Sequence, residues 1–306
     1  MKQHASPFSQ QTPRSFWGNL QRTQHLNTVL FLAPWGIVLG VFWVYPLAYA
    51  LYLSFTKYET LRNESTWIGI QNYAHILHDS FFWLALKNTA IFSAGTIPLT
   101  TVFALALAVG VSSIPRFQGF FRAAFFLPSV TSLIVLALVF SRLYAANGYL
   151  ASLCQMLGIP FPARGLLQDI STALPAIMAM DIAIATGYYM VIFLAALQTI
   201  PRDIYESAEL AGANAWAKFW RITLPLMRPT LLFVLIINTI RSFQIFVEIY
   251  IMTRGGPLSS TSTLIYLVYQ HAFDKFDMGY ASALAYIVFA IILCFSLVQM
   301  WFLRLK

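Results

Sequence analysis

Five polar side chains interrupt otherwise apolar stretches of this sequence: Asp181, Asn238, Arg241, Gln244 and Glu248. Polar groups inside apolar spans are costly, and they face a protein interior or a wet cavity. Asn238, Arg241, Ser242 and Ile245 follow i, i+3, i+4, i+7 spacing, which puts them on one helical face. Gln244 and Glu248 stand one turn apart on a neighbouring face. Two kinds of chemistry suit this set. Arg241 and Gln244 can hold hydroxyls, and the planar fork of Arg241 can also hold a phosphate or a carboxylate. Alternatively, Arg241 pairs with Asp181 or Glu248 and ties two spans together.

A second polar region is an island between two long apolar runs, Pro201-Arg-Asp-Ile-Tyr-Glu-Ser-Ala-Glu-Leu-Ala-Gly-Ala-Asn214, closed by Ile222-Thr-Leu-Pro225. It reads as a helix that Pro201 separates from the preceding run. Asp203 is expected to cap its start, with Glu206 bonding back in a capping box. Ala208, Ala211, Gly212 and Ala215 would share one face, where small side chains let another surface come close. Gly212 also permits a sharp change of direction. The island is either an amphipathic helix at the membrane surface or a surface on which another protein acts.

Other chemistry is missing. There is no Gly-x-x-x-x-Gly-Lys-Ser/Thr phosphate loop. His4, His25, His75, His78 and His271 lie in loops or in the N-terminal segment, and a face shared by His75 and His78 reads as solvated. Cys154 and Cys294 are not expected to form a disulfide, and no Cys/His spacing suggests a metal. No nucleophile–base pair stands out. The chain is therefore expected to be no enzyme and to need no cofactor.

The elements that must position these residues are membrane helices. The chain has 306 residues, 59% hydrophobic and 10% charged, against about a quarter charged in a soluble domain. Apolar runs at 28–54, 85–112, 121–145, 172–198, 229–252 and 282–303 are each about long enough to cross a bilayer as a helix. Pro98, Pro128 and Pro175 mark kinks within them. Residues 1–27 form a polar cytoplasmic segment, and 28–306 one transmembrane domain with the island in its longest inner loop, 199–228. The outer loops are 55–84, 146–171 and 253–281. Lys and Arg are more numerous on the inner side when both termini are cytoplasmic. The net charge of +8 thus follows topology, and no basic stripe points to nucleic acid. Trp67, Phe81 and Trp83 suit an interfacial belt or contact with an outside protein.

The island resembles the EAA loop of ABC-importer permeases. Glu206, Ala208, Gly212, Ala213, Ile222, Leu224 and Pro225 stand at its positions, with Ser207 in place of the usual Ala and Ala211 in place of the usual Asp. Thr253-Arg-Gly-Gly-Pro257 with Ser262-Thr-Leu264 resembles an outer loop of carbohydrate-importer permeases, as do Gly69-Ile-Gln-Asn-Tyr73 and Leu127-Pro128. The likeness runs from about residue 28 to the end and is best to the MalF and glycerol-3-phosphate permease branch. It implies an all-α polytopic membrane protein with about six transmembrane helices, the type I ABC importer permease fold, in a bacterial inner membrane. It implies that Glu206, Ser207, Ala208, Ala211, Gly212 and Ala213 couple to an ATPase pair. It also implies a second, unlike permease subunit, an extracytoplasmic binding protein and a carbohydrate. The family's sugar-contact positions fall on Ser129, Asp181, Ala185, Tyr188, Asn238, Arg241, Ser242 and Ile245. Two alternatives stand beside this reading: import of glycerol-3-phosphate or another polar solute, and an ion-coupled carrier using Asp181 and Glu248.

Overall fold

A computed structural model describes residues 28, 30–59 and 64–304. The predicted N-terminal segment 1–27 lies outside the described residues. The chain divides into two compact units, one ending at Tyr52 and one beginning at Leu53. Helix α1, Leu30–Ser54, is a candidate membrane span. It includes a π-helical turn at Gly40–Val44, and Phe31, Trp35 and Phe42 on it are exposed.

Past α1, strands β1 (Thr56–Glu59) and β2 (Glu64–Trp67) pair antiparallel, with Thr56 opposite Trp67. Helices α2 (Gln71–His78) and α3 (Ser80–Ser112) follow. Asp79 caps α3 by accepting from the Phe81 N–H at 2.8 Å. Next come α4 (Gln118–Val130), α5 (Leu133–Leu143), α6 (Tyr149–Met156) and α7 (Ala173–Leu197). The island forms α8 (Arg202–Leu210) and α9 (Ala215–Lys218). Helices α10 (Arg228–Phe243), α11 (Val247–Met252), α12 (Leu264–Tyr269) and α13 (Met278–Arg304) complete the described chain.

Five helical segments are long and apolar enough to span a membrane, and α4 with α5 makes a sixth if a 93° bend is allowed within one span. The sequence predicts a single span over 121–145. The structure instead breaks it at Thr131 and Ser132, both outside helical geometry. The apolar run is long enough for one helix, and hydropathy does not register a turn this short. The β1–β2 hairpin is also absent from the all-helical expectation. Its four-residue strands carry charged and hydroxyl side chains, without a strong alternating pattern.

Helix α7 is the centre of the bundle. Its Ala185, Tyr189 and Phe193 are buried with Ala104 and Ala108 of α3 and Val234 of α10. Small side chains allow such close helix contact in a membrane, where lipid gives apolar packing no hydrophobic drive. Asn88 in α3 donates to the carbonyls of Ser259 and Ser262 at 3.0 and 2.9 Å. The Thr89 hydroxyl accepts from Leu264 N–H at 3.0 Å. These bonds hold the loop containing Thr253-Arg-Gly-Gly-Pro257 onto α3. Asn72, within Gly69-Ile-Gln-Asn-Tyr73, likewise donates to the Ser54 and Thr56 carbonyls, both at 2.9 Å. Both motifs therefore tie loops to helix ends.

Candidate functional site

A cavity of about 330 Å³ opens where α4 and α5 meet α7 and α10. Gly187 sets this geometry. A Cβ there would lie 1.8 Å from the Phe125 carbonyl oxygen, so the α4 backbone rests directly on α7. The contact brings Ser129 and the Thr131 elbow opposite Ala185, Tyr188 and Tyr189, with Ile237 and Arg241 closing the far wall. Tyr188 is 45% exposed and meets buried Tyr189 edge-on at 5.2 Å.

Behind the cavity lies a three-residue charge cluster. Arg241 Nη2 is 2.6 Å from Asp181 Oδ1 and 3.8 Å from Glu248 Oε1. The two acidic side chains are 3% and 5% exposed, and Arg241 is 35% exposed. A break between α10 and α11 delivers Glu248. Gln244 ends α10, and Phe246 at φ −142° begins α11. Inside a membrane a broken helix persists only where its freed backbone groups find partners. Here the Thr263 hydroxyl donates to the Ile245 carbonyl at 3.2 Å, and the Gln244 N–H reaches the Ile240 carbonyl at 3.1 Å.

The residues expected to meet a solute therefore divide. Ser129, Tyr188 and Arg241 line one cavity, and Asp181 sits behind it on Arg241. Asn238, Ser242 and Ile245 do not line it. Asn238 donates to the Ile97 carbonyl at 3.3 Å, and Ser242 lies 3.2 Å from the Thr96 hydroxyl. Ile245 is buried with Phe92 and Ile177. Asn238 and Ser242 do share a face, which packs on α3, whereas Ile245 falls in the break beyond the end of α10. Gln244 is exposed at the helix break, so the continuous helix that would stack it on Glu248 does not form. Of the alternatives for Arg241, the pairing with both acids is present, and the side chain also reaches the cavity. Sequence reading missed Thr131 and Leu133, which the elbow brings to the cavity, and Ile184, Tyr189 and Ile237, which α7 and α10 contribute.

The island takes a different form from a single helix. Pro201, with no side-chain cap bond, precedes α8. Asp203 falls inside the first turn, where its charge favours the helix dipole, and no capping box forms. The helix ends in a Schellman turn: Gly212 N–H bonds Glu209 O at 2.9 Å, and Ala213 N–H bonds Ala208 O at 2.9 Å. Gly212 sits at φ +80°, in the left-handed region that glycine tolerates best. Ala211 and Gly212 thus leave the helix, and the expected Ala208–Ala215 face is split across the turn. Asn214 caps α9 by accepting from Ala217 N–H at 2.8 Å. Lys218 pairs with Glu209 across the turn. The Tyr205 hydroxyl lies 2.9 Å from that of Thr223, which anchors α8 to the π-helical turn leading into α10. No residue of α8 or α9 is buried, and Leu210 and Trp216 are 92% and 71% exposed.

Known proteins are similar to this chain. The lactose transport system permease protein LacF of Rhizobium radiobacter is 33% identical over 94% of this chain and 97% of its own length. The sn-glycerol-3-phosphate transport system permease protein UgpA of Agrobacterium fabrum is 30% identical over 90% of this chain and 94% of its own. A chain in the crystal structure of a bacterial ABC transporter for the acidic polysaccharide alginate superposes with a TM-score of 0.81 at 20% identity, covering 95% of this chain and 99% of that one. The family model for the inner membrane component of binding-protein-dependent transport systems matches residues 102–305. The chain belongs to that family of membrane permease components.

Proposed function

We propose that this chain is a permease subunit of an ATP-driven importer for a carbohydrate. It works with a second, unlike permease, and the wall formed by Ser129, Tyr188 and Arg241 is part of the path. Tyr188 offers an aromatic face to a sugar ring, and Ser129 and Arg241 offer polar groups to hydroxyls. An extracytoplasmic binding protein delivers the solute at the outer loops 55–84, 146–171 and 253–281. Both termini face the cytoplasm of a bacterial cell. ATP is hydrolysed by a separate ATPase pair that seats on α8, the Gly212 turn and α9, with Glu206, Ser207, Ala208, Ala211 and Ala213 around the contact. Closure of that pair moves the bundle between inward and outward access.

The observation that carries this reading is the island's form. It is a rigidly capped helix–turn–helix with no buried residue, yet it holds Leu210 and Trp216 exposed. Large exposed apolar groups rimmed by polar ones mark contact sites. Copurification tests it. An ATPase subunit should accompany the chain and be lost in Gly212→Val, together with ATP-dependent uptake. Uptake by this chain alone, driven by an ion gradient, would overturn the proposal.

A further inference from the structure

Sequence similarity does not say which charge of solute this chain passes, since the relatives include permeases named for lactose and for sn-glycerol-3-phosphate at comparable identity. The charge cluster behind the cavity does discriminate. Arg241 is the cationic side chain in the cavity wall, and an anionic solute would need it free. It is held at 2.6 Å by Asp181, and Glu248 stands 3.8 Å away on its other side. With Asp181 ionised against Arg241 at 2.6 Å, the cluster has a net charge of zero, or below zero where Glu248 is ionised as well.

The remaining hydrogen-bonding capacity points the same way. Among the described residues, Asp181 Oδ2 and Arg241 Nη1 have no hydrogen-bond partner and are covered by protein atoms. Such groups are rare and costly. They lack one donor and one acceptor together, which the hydroxyl of a solute or of water supplies once the cavity wall opens onto them. A phosphate or carboxylate oxygen would satisfy only the guanidinium and would bring a negative charge close to Asp181.

Resting on the importer reading above, we propose that the Asp181–Arg241–Glu248 cluster is a charge filter: it makes this part of the path suited to uncharged carbohydrates and polyols and unfavourable to phosphorylated or uronic sugars. Arg241 then acts as a neutralised donor to hydroxyls, and Asp181 is the residue that keeps it from capturing anions.

The test reads the charge of the cavity without needing the solute. Thr131→Cys places a thiol in the wall of the cavity, in a chain whose Cys154 and Cys294 are replaced by serine. In membranes carrying the full importer, its rates of modification by an anionic sulfonate and a cationic ammonium methanethiosulfonate are compared and normalised to free cysteine. The expected anionic-to-cationic ratio is at or below one. Asp181→Asn should raise it on the order of tenfold, the scale of a unit charge acting across a partly wet site. Glu248→Gln should raise it less, and Arg241→Gln should lower it. Should Asp181→Asn not reach the membrane, the rise with Glu248→Gln and the fall with Arg241→Gln carry the test. A starting ratio well above one, or a ratio that none of these changes moves, overturns the filter. Failure of the importer reading shows separately, as an absent ATPase, and leaves the rate ratio measurable.

Discussion

Asp181 is almost wholly buried and 2.6 Å from Arg241, whereas no residue of α8 is buried and Leu210 is 92% exposed. In the first region a group that prefers water has been taken out of it. In the second, a group that avoids water has been left in it. A buried charge must find its partner within the chain, because removing the partner costs far more than the pair contributes. An exposed apolar group can find its partner only elsewhere. The cluster should therefore govern stability and the island association, and substitutions can separate the two.

The largest effect on folding is expected at the cluster. Asp181→Ala strands the Arg241 guanidinium against Glu248 and should cost about 3 kcal/mol, measured by unfolding in detergent. Asp181→Asn, which can still accept a hydrogen bond, should cost less. A cost for Asp181→Ala no greater than that of a surface substitution would remove the contrast with the island.

How legible these regions were follows from what sets each one. Five spans stand out because each is a continuous apolar run, and lipid requires such runs to be helical. The pairing of Arg241 was one of two open readings, since spacing places residues on a face but does not say what lies opposite. Asn238 and Ser242 show this. Their i, i+4 relation holds, yet their partners are the Ile97 carbonyl and the Thr96 hydroxyl on α3. The elbow at Thr131 and the break at Gln244 escaped because a turn of one to three residues leaves the hydropathy of a span almost unchanged. In the island, the sequence marks Gly212 as a turn residue. Asn214, one residue ahead of Ala215, is a normal helix-start signal, and its cap on Ala217 N–H is what makes two helices of the expected one.

The next effect is expected at the Gly212 turn. No atom lies within 4 Å of a Cβ built there, so volume is no obstacle; the backbone at φ +80° is. A β-branched side chain in that region costs about 2 kcal/mol. Gly212→Val should therefore alter the α8–α9 angle and lower ATP-dependent uptake by on the order of tenfold or more, with a smaller loss of global stability than Asp181→Ala. Asn tolerates the left-handed region, so Gly212→Asn should keep most uptake. If both variants behave alike, the turn is not what the partner reads.

A smaller effect tests whether the segment around His271 follows the rule of the buried cluster. His271 stacks on Tyr280 at 4.0 Å, and its Nε2 lies 3.0 Å from Lys275 Nζ. Burial, with Lys275 and His75 adding to it against Asp277 and Asp79, pushes its pKa down to about 4. The unfolded value is near 6.5. Above pH 6.5 the ring is neutral in both states and costs nothing. As pH falls from 6.5 towards 4, the unfolded chain takes up the proton and the folded chain does not, so stability drops across that window. The loss should be about 1 kcal/mol, allowing for water reaching the site. Unfolding followed against pH should show it, and His271→Gln should flatten the curve.

The smallest effect on folding is expected on the island's apolar residues. Leu210 and Trp216 are exposed, and truncating residues in such positions changes stability by only about 0.5 kcal/mol. If an ATPase covers them, Leu210→Ala and Trp216→Ala should nevertheless reduce the ATPase retained on purification, since buried aromatic and apolar anchors dominate binding at interfaces. Unchanged retention with unchanged stability would mean that these side chains meet lipid headgroups. Retention lost only in step with stability would mean that they support the fold. Retention lost while stability holds is the result that places their partner outside the chain.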